Sequence, residues 1–144
     1  MPEEKSRIPL KEGLWIDERE TGGTLQLMGC ECADCGEVFF GRREIGLCGH
    51  CQSRNLQEIR LSAKGRIYSY TVVMQRPPVY YQGPVPYAIG FVELPDGVRV
   101  ETLFTDCEFD ALKIGMEVEV VLRPLHQDEA GNDVVTYMFR PTGQ

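Results

Sequence analysis

The sequence predicts a mainly β protein with an N-terminal helical segment, a zinc ribbon and a C-terminal OB-fold barrel of five strands. Two observations lead to this prediction. Four of the six cysteines form two CxxC pairs, Cys32/Cys35 and Cys48/Cys51, a spacing typical of metal-binding ribbons. The later residues fall into short segments rich in β-branched and aromatic side chains, which favour strands. The predicted domains cover residues 1–28, 29–60 and 61–144.

Composition and charge narrow the class of protein. The chain has 144 residues, of which 42% are hydrophobic, as expected of a globular protein. Its start is polar, and no apolar run approaches the roughly 20 residues that cross a bilayer. We therefore expect a cytoplasmic protein with reduced thiols and no membrane partner. With 15 basic and 22 acidic residues the net charge is −7, which disfavours general nucleic-acid binding. One basic band, residues 42–76, carries seven basic residues against two acidic ones.

The first 28 residues show a weak helical pattern. Leu10 and Leu14 are four residues apart, so together with Trp15 they would share one face of a helix. Thr21–Gly23 interrupts this pattern, and Thr24–Met28 then alternates as a short strand would. We expect a helical segment followed by a strand that leads into the first cysteine pair.

The C-terminal part contains the predicted barrel. Alternation of apolar and polar residues, together with β-branched and aromatic enrichment, indicates five strands. They are expected at residues 66–74, 87–94, 98–104, 117–122 and 134–140. A short helix is expected at residues 107–114, between the third and fourth strands. This order of elements matches the OB-fold, a five-stranded Greek-key barrel, although other small barrels share it.

The two cysteine pairs predict one closed metal site. Each CxxC supplies two thiolates from a tight turn, and twelve residues separate the pairs. Four thiolates complete the tetrahedron that structural Zn²⁺ prefers, so no position remains open for catalysis. Iron of the rubredoxin type would use the same four ligands. Cys30 could replace Cys32 as a ligand, but the Cys32-to-Gly36 segment has the usual knuckle form. His50 is expected to be an exposed residue at the tip of the second knuckle.

The remaining reactive residues do not form a recognisable catalytic set. His50 and His126 are the only histidines, and Cys107 is expected to be a buried small residue rather than a nucleophile. We therefore predict that the chain has no catalytic residues of its own. The segment Gln75–Pro86 carries four prolines, two tyrosines and an arginine. It is equally consistent with a docking loop and with a plain connection between strands.

The chain resembles the Zn-ribbon OB-fold family of acyl-CoA-associated accessory proteins. The matching stretches run in order through most of the chain: GTLQLMGCECADCG, LCGHC, GRIYSYTVV, VPYAIGFVEL, DGVRVETLF and KIGMEVEVVL. One departure is Phe39-Phe40-Gly41, where relatives often carry prolines.

The resemblance implies N-terminal helices, a rubredoxin-like ribbon and an OB barrel. It also implies a non-catalytic subunit that binds a thiolase-like or hydratase-like enzyme and stabilises its CoA-thioester site. The zinc-finger subunit of benzoylsuccinyl-CoA thiolase, from anaerobic toluene degradation, is a member of similar size and layout. The family's metal ligands map onto Cys32, Cys35, Cys48 and Cys51.

Three arginines of the basic band are candidates for contact with CoA phosphates or with the partner. Arg42, Arg43 and Arg76 are chosen because arginine forks favour phosphate. An alternative function is a single-stranded nucleic-acid module, because ribbons and OB barrels both bind nucleic acid in other proteins. Its stacking residues would be Tyr68, Tyr70, Tyr80 and Tyr81.

Overall fold

Ten strands and one 3₁₀ helix are found in the described residues of the computed structural model, which are 7–10, 13–16, 25–41, 46–75 and 84–142. The strands are β1 Arg7–Pro9, β2 Trp15–Ile16, β3 Gln26–Cys32, β4 Val38–Phe40, β5 Leu56–Arg60, β6 Lys64–Val73, β7 Tyr87–Glu93, β8 Arg99–Phe104, β9 Glu117–Gln127 and β10 Asp133–Pro141. The 3₁₀ helix spans Phe109–Ala111. No helix among these residues is long and apolar enough to cross a membrane.

The last five strands close into a barrel. Their order is β6-β7-β8-β10-β9, and β9 pairs with β6 to complete the circle. Neighbouring strands are antiparallel except for β8 and β10, which are parallel. Alternation along each strand directs one set of side chains inward, as in β7, where Ala88, Gly90 and Val92 are buried. The barrel has the strand order of an OB-fold, and the five predicted strands are confirmed with shifts at their ends, the largest in β9.

The ribbon sheet is built on β3, which pairs antiparallel with β2, β4 and β5. Gly29 lies at the centre of this sheet. A larger residue would not fit there, because a Cβ would approach the Phe39 carbonyl oxygen to 2.5 Å and the Leu61 side chain to 3.0 Å. The strand that the sequence predicts before the first cysteine pair is present as β3, shifted toward the cysteines.

Ribbon and barrel share one hydrophobic core. Leu27 at the start of β3 and Leu61 just after β5 are buried in the same cluster as Val92 and Phe139 of the barrel. Tyr137 of β10 contacts the rings of Trp15 and Phe40 at the same junction. The metal-binding end of the ribbon is thus anchored to the barrel by the opposite end of β3.

The predicted N-terminal helical segment is wrong for the residues that the structure describes. Arg7–Pro9 forms a parallel pair with Asp133–Val135, and Trp15–Ile16 pairs with β3. Gly13 has φ +86°, which no helix accommodates. Pairing with distant strands therefore overrides the weak local helical pattern. The rest of residues 1–28 includes ranges outside the described residues.

The predicted helix at 107–114 is reduced to three 3₁₀ residues. Glu108 and Leu112, which flank it, have extended backbones, and Glu108 provides no side-chain cap. Leu112 is buried in the barrel core, and its carbonyl oxygen accepts a hydrogen bond from the Tyr70 hydroxyl at 2.8 Å. Because Leu112 packs into the end of the barrel with an extended backbone, the helix ends before it.

Candidate metal centre

The structure brings the four predicted cysteines together. The sulfur atoms of Cys32, Cys35, Cys48 and Cys51 all lie within 4.8 Å of one another. The Cys32–Cys51 and Cys35–Cys48 sulfur pairs are 3.5 and 3.6 Å apart. A tetrahedral Zn²⁺ with bonds of ~2.3 Å places its sulfurs ~3.8 Å apart. The cluster therefore has the donor set and nearly the spacing that one such ion requires.

The two knuckles have the same backbone design. In each, the N–H four residues after the first cysteine donates to that cysteine's carbonyl oxygen at 2.9 Å: Gly36 to Cys32, and Gln52 to Cys48. Both donors have positive φ, +80° at Gly36 and +65° at Gln52. The glycine at the first turn follows from this geometry. Sequence reasoning missed Gln52, because a positive φ at a glutamine leaves no local signal.

Electrostatics at the cluster favours a bound cation. Burial alone would raise the pKa of Cys48. The N–H groups of Cys51 and His50, which lie 3.4 and 3.3 Å from the Cys48 sulfur, have the opposite effect, and the pKa of Cys48 is lowered to about 6. At Cys35 the N–H of Glu37 favours the thiolate, yet burial and the neighbouring thiols raise its pKa to about 12. Thiolates repel each other at this distance. All four ionise together only when a metal ion balances their charge.

A polar latch joins the two knuckles outside the sulfur cluster. Asp34, inside the first CxxC, accepts hydrogen bonds from the Ser53 hydroxyl and from Asn55 Nδ2, the latter at 3.0 Å. The backbone adds Ala33 N–H to the Asn55 carbonyl oxygen at 2.8 Å, and Cys48 N–H to the Ser53 carbonyl oxygen at 2.8 Å. We call Asp34, Ser53 and Asn55 the knuckle latch. It connects the residues after the Cys48/Cys51 pair with the loop between Cys32 and Cys35.

The other two cysteines and the two histidine side chains are not part of the sulfur cluster. Cys30 is buried, outside the sulfur cluster, in agreement with the preference for Cys32. His50 is exposed at the tip of the second knuckle, as expected. His126 is half-buried, and its Nδ1 lies 3.1 Å from the Gln127 carbonyl oxygen. Cys107 is half-buried, and burial raises its pKa, which favours the protonated thiol over the nucleophilic thiolate.

Arg42, Arg43 and Arg76 lie outside the described residues, so their role stays a prediction. The same holds for most of the segment Gln75–Pro86, including Tyr80 and Tyr81. Of the other two proposed stacking residues, Tyr70 binds Leu112 through its hydroxyl, and Tyr68 is covered on one face by Arg99.

Comparison with known proteins decides the family. Residues 58–123 match the protein-family model described as the C-terminal OB-fold domain of ChsH2. Over 115 residues the chain is 39% identical to a DUF35 domain-containing scaffold protein of Methanothermobacter thermautotrophicus, covering 79% of this chain and 84% of the relative. The chain belongs to the DUF35 family. The family resemblance seen in the sequence is thereby confirmed.

One further relative and one solved structure are named as parts of enzymes. The chain is 28% identical over 126 residues to benzoylsuccinyl-CoA thiolase subunit BbsA of Geobacter metallireducens, covering 87% of this chain and 81% of that subunit. Among solved structures it is similar to the Ltp2-ChsH2(DUF35) aldolase, with a TM-score of 0.63, 26% identity and coverage of 90% and 92%. These relatives give the nucleic-acid hypothesis no support.

Proposed function

We propose that this DUF35 chain is a non-catalytic subunit of an acyl-CoA-processing enzyme complex, most specifically of a thiolase that cleaves a β-ketoacyl-CoA. The observation that carries the proposal is the similarity to named scaffold and thiolase subunits over about four fifths of the chain. The subunit would stabilise its partner and the partner's CoA-thioester site. Benzoylsuccinyl-CoA is the first substrate to assay, because two subunits named for that thiolase are among the relatives.

The chemistry of the described residues supports a structural rather than a catalytic role. We assign one structural Zn²⁺ to Cys32, Cys35, Cys48 and Cys51. Four protein thiolates fill its coordination sphere, so the ion would have no position for water or substrate. When bound, it would supply the cross-link that a ribbon of this size needs, since so small a unit buries too little apolar surface to be stable alone.

Three arginines of the basic band are the proposed contact with the CoA thioester or with the partner. Arg42, Arg43 and Arg76 would offer guanidinium groups to phosphate oxygens. In the assembled enzyme, replacing the three by alanine should raise the KM for the acyl-CoA with little change in kcat. Arg60→Ala is the matched control, because Arg60 is an exposed arginine of β5 within the same band. Equal effects of both changes would argue against this assignment.

Native mass spectrometry of the tagged protein from its own host tests the main proposal. We expect one zinc per chain and a co-purified subunit of thiolase size. That complex should cleave a β-ketoacyl-CoA when free CoA is added, and the isolated chain should show no turnover. Turnover by the isolated chain, or a host preparation that contains only the zinc-bound monomer or nucleic acid, would overturn the proposal. Iron in place of zinc would correct the metal and leave the subunit role standing.

A further inference from the structure

The outer surface of β6, β7 and β8 departs from the usual pattern of a barrel. Outward positions on a sheet that faces solvent are normally polar. Here Ile89 of β7 and Leu103 of β8 stand opposite each other on the outside and are half-buried, and Phe91 is 40% exposed. The inward neighbours Ala88 and Val92 are fully buried, so the outward residues are not needed to fill the core. Aromatic and aliphatic side chains grouped in this way mark interaction sites.

A β-bulge adds an aromatic ring to the same surface. The pairing of β6 with β7 shifts between Ile67 and Ser69, which leaves Tyr68 without a partner on β7. Bulges re-aim side chains, and Tyr68 is 48% exposed. The bulge depends on Gly90, because a Cβ at that position would collide with the Ser69 carbonyl oxygen and approach the Tyr70 Cα to 2.6 Å.

Arg99 is held in position on this surface. Its guanidinium lies over the Tyr68 ring, with Cζ 3.8 Å from the ring centroid. Its Nε donates to Glu93 at 3.1 Å. The two terminal nitrogens make no hydrogen bond to any residue that the structure describes. A guanidinium fixed by stacking and by one carboxylate presents its remaining donors to solvent, and such a fork matches a carboxylate.

We propose that Tyr68, Ile89, Phe91, Arg99 and Leu103, here called the outer barrel face, form the docking surface for the partner subunit. This inference rests on the proposed function. The partner would contribute an apolar patch against Ile89, Phe91 and Leu103 and an acidic side chain to Arg99. Tyrosine and arginine are the residue types that dominate binding energy at protein interfaces. Glu93 and Glu101 are exposed at the same surface and would repel the many phosphates of a nucleic-acid backbone, whereas one acidic side chain of the partner can be directed at Arg99 alone.

Binding of the purified partner to variants of this chain tests the outer barrel face. Phe91→Ser and Arg99→Ala remove one apolar and one charged contact, and both residues are exposed, so the fold should persist. Ile114→Ser and Arg60→Ala are matched controls, because Ile114 is 65% exposed and Arg60 is an exposed arginine of the ribbon. We expect each face variant to weaken Kd by about tenfold or more, and each control by less than about twofold. Circular dichroism and zinc content should match the unsubstituted chain.

The outcomes separate this inference from the proposed function. If the unsubstituted chain binds an acyl-CoA enzyme subunit and the face variants bind it equally well, the docking surface is wrong and the subunit role stands. If no such partner is found, both fail. If sedimentation shows that Phe91→Ser abolishes a homodimer, the surface belongs to a second copy of the chain. A single-stranded oligonucleotide that binds at micromolar Kd and is lost with Arg99→Ala would equally overturn the inference.

Discussion

Phe40 of the ribbon lies edge-on against Tyr137 of the last barrel strand, with ring centroids 5.2 Å apart and ring planes at 81°. The Tyr137 hydroxyl donates to the Glu101 carbonyl oxygen at 2.6 Å. Burial, followed by the Glu101 carboxylate, raises the pKa of Tyr137 to about 12, so the hydroxyl remains a donor at neutral pH. This single side chain therefore connects β4 and β8 with its own strand.

Tyr137→Phe should lower the free energy of unfolding by about 1 kcal/mol, because it deletes one hydrogen bond and retains the ring. Tyr137→Ala should cost about 3 kcal/mol, because the ring contacts with Phe40 and Trp15 are lost as well. Urea unfolding followed by circular dichroism measures both. Tyr68→Phe is the control, since the Tyr68 hydroxyl makes no hydrogen bond among the described residues. Equal values for the two phenylalanine variants would show that the Glu101 bond contributes nothing.

Cys32→Ser should abolish stoichiometric metal binding, whereas Cys30→Ser should retain one ion per chain. Both cysteines are buried on β3, but only Cys32 belongs to the sulfur cluster. Metal content by plasma mass spectrometry checks the stoichiometry, and cobalt substitution gives the absorption bands of a tetrahedral thiolate site. Because binding stabilises the ribbon, a strong chelator should also lower Tm. Loss of metal from Cys30→Ser instead would reassign the ligand.

Asp34→Ala should weaken metal retention by about tenfold, the lower end of the effect of residues that support metal ligands. The change removes the hydrogen bonds from Ser53 and Asn55 and leaves the four sulfurs in place. Competition with a chromogenic chelator gives the affinity. Glu31→Ala removes the same charge from an exposed position of β3 and should be neutral. If it weakens retention equally, charge and not the knuckle latch is responsible.

We expect the free energy of unfolding to fall in acid as Asp106 becomes protonated. The pKa of Asp106 is lowered from its ordinary 3.8, mainly by the hydrogen bond from Arg123. The Arg123 Nη2 atom lies 2.6 Å from the carboxylate. Because the folded-state pKa is the lower one, the stabilisation is complete well above pH 4 and is lost as the pH falls through the folded-state pKa.

Asp106→Asn should therefore cost about 1 kcal/mol or less at pH 7, as partly exposed ion pairs do, and the two stability curves should converge in acid. Unfolding at a series of pH values measures this. Asparagine tolerates the left-handed backbone of residue 106, where φ is +58°. Asp110→Asn, an exposed acid of the 3₁₀ helix, is the control and should leave the pH profile unchanged. A constant difference between wild type and Asp106→Asn at every pH would contradict the explanation.

The sequence was most informative where local chemistry determines local structure. Two CxxC pairs bring their thiols together because each knuckle is formed by adjacent residues. Strand alternation was readable because burial alternates with it, as along β7. The strands β1 and β2 carry no local signal, because each is a short segment defined by its pairing with another strand: β1 with Asp133–Val135, more than 120 residues away, and β2 with β3.

The outer barrel face was only partly readable from the sequence. A glycine inside the strand pattern YAIGFVEL is the signal that could have indicated a bulge opposite Gly90. Nothing local to Tyr68 shows that Arg99 stacks on its ring, because that contact depends on the register of three strands. The arginines favoured from charge alone are Arg42, Arg43 and Arg76, whereas strand register singles out Arg99, so the two kinds of reasoning give different candidates.

The strand β3 has Leu27 in the barrel core and Cys32 in the sulfur cluster, five residues apart. Its extended backbone spans about 17 Å between them. Pairing with β2, β4 and β5 restrains the backbone of β3 along this length. An ion that fixes Cys32 would therefore also restrain the strand that carries Leu27, so metal binding and the stability of the barrel core should be linked.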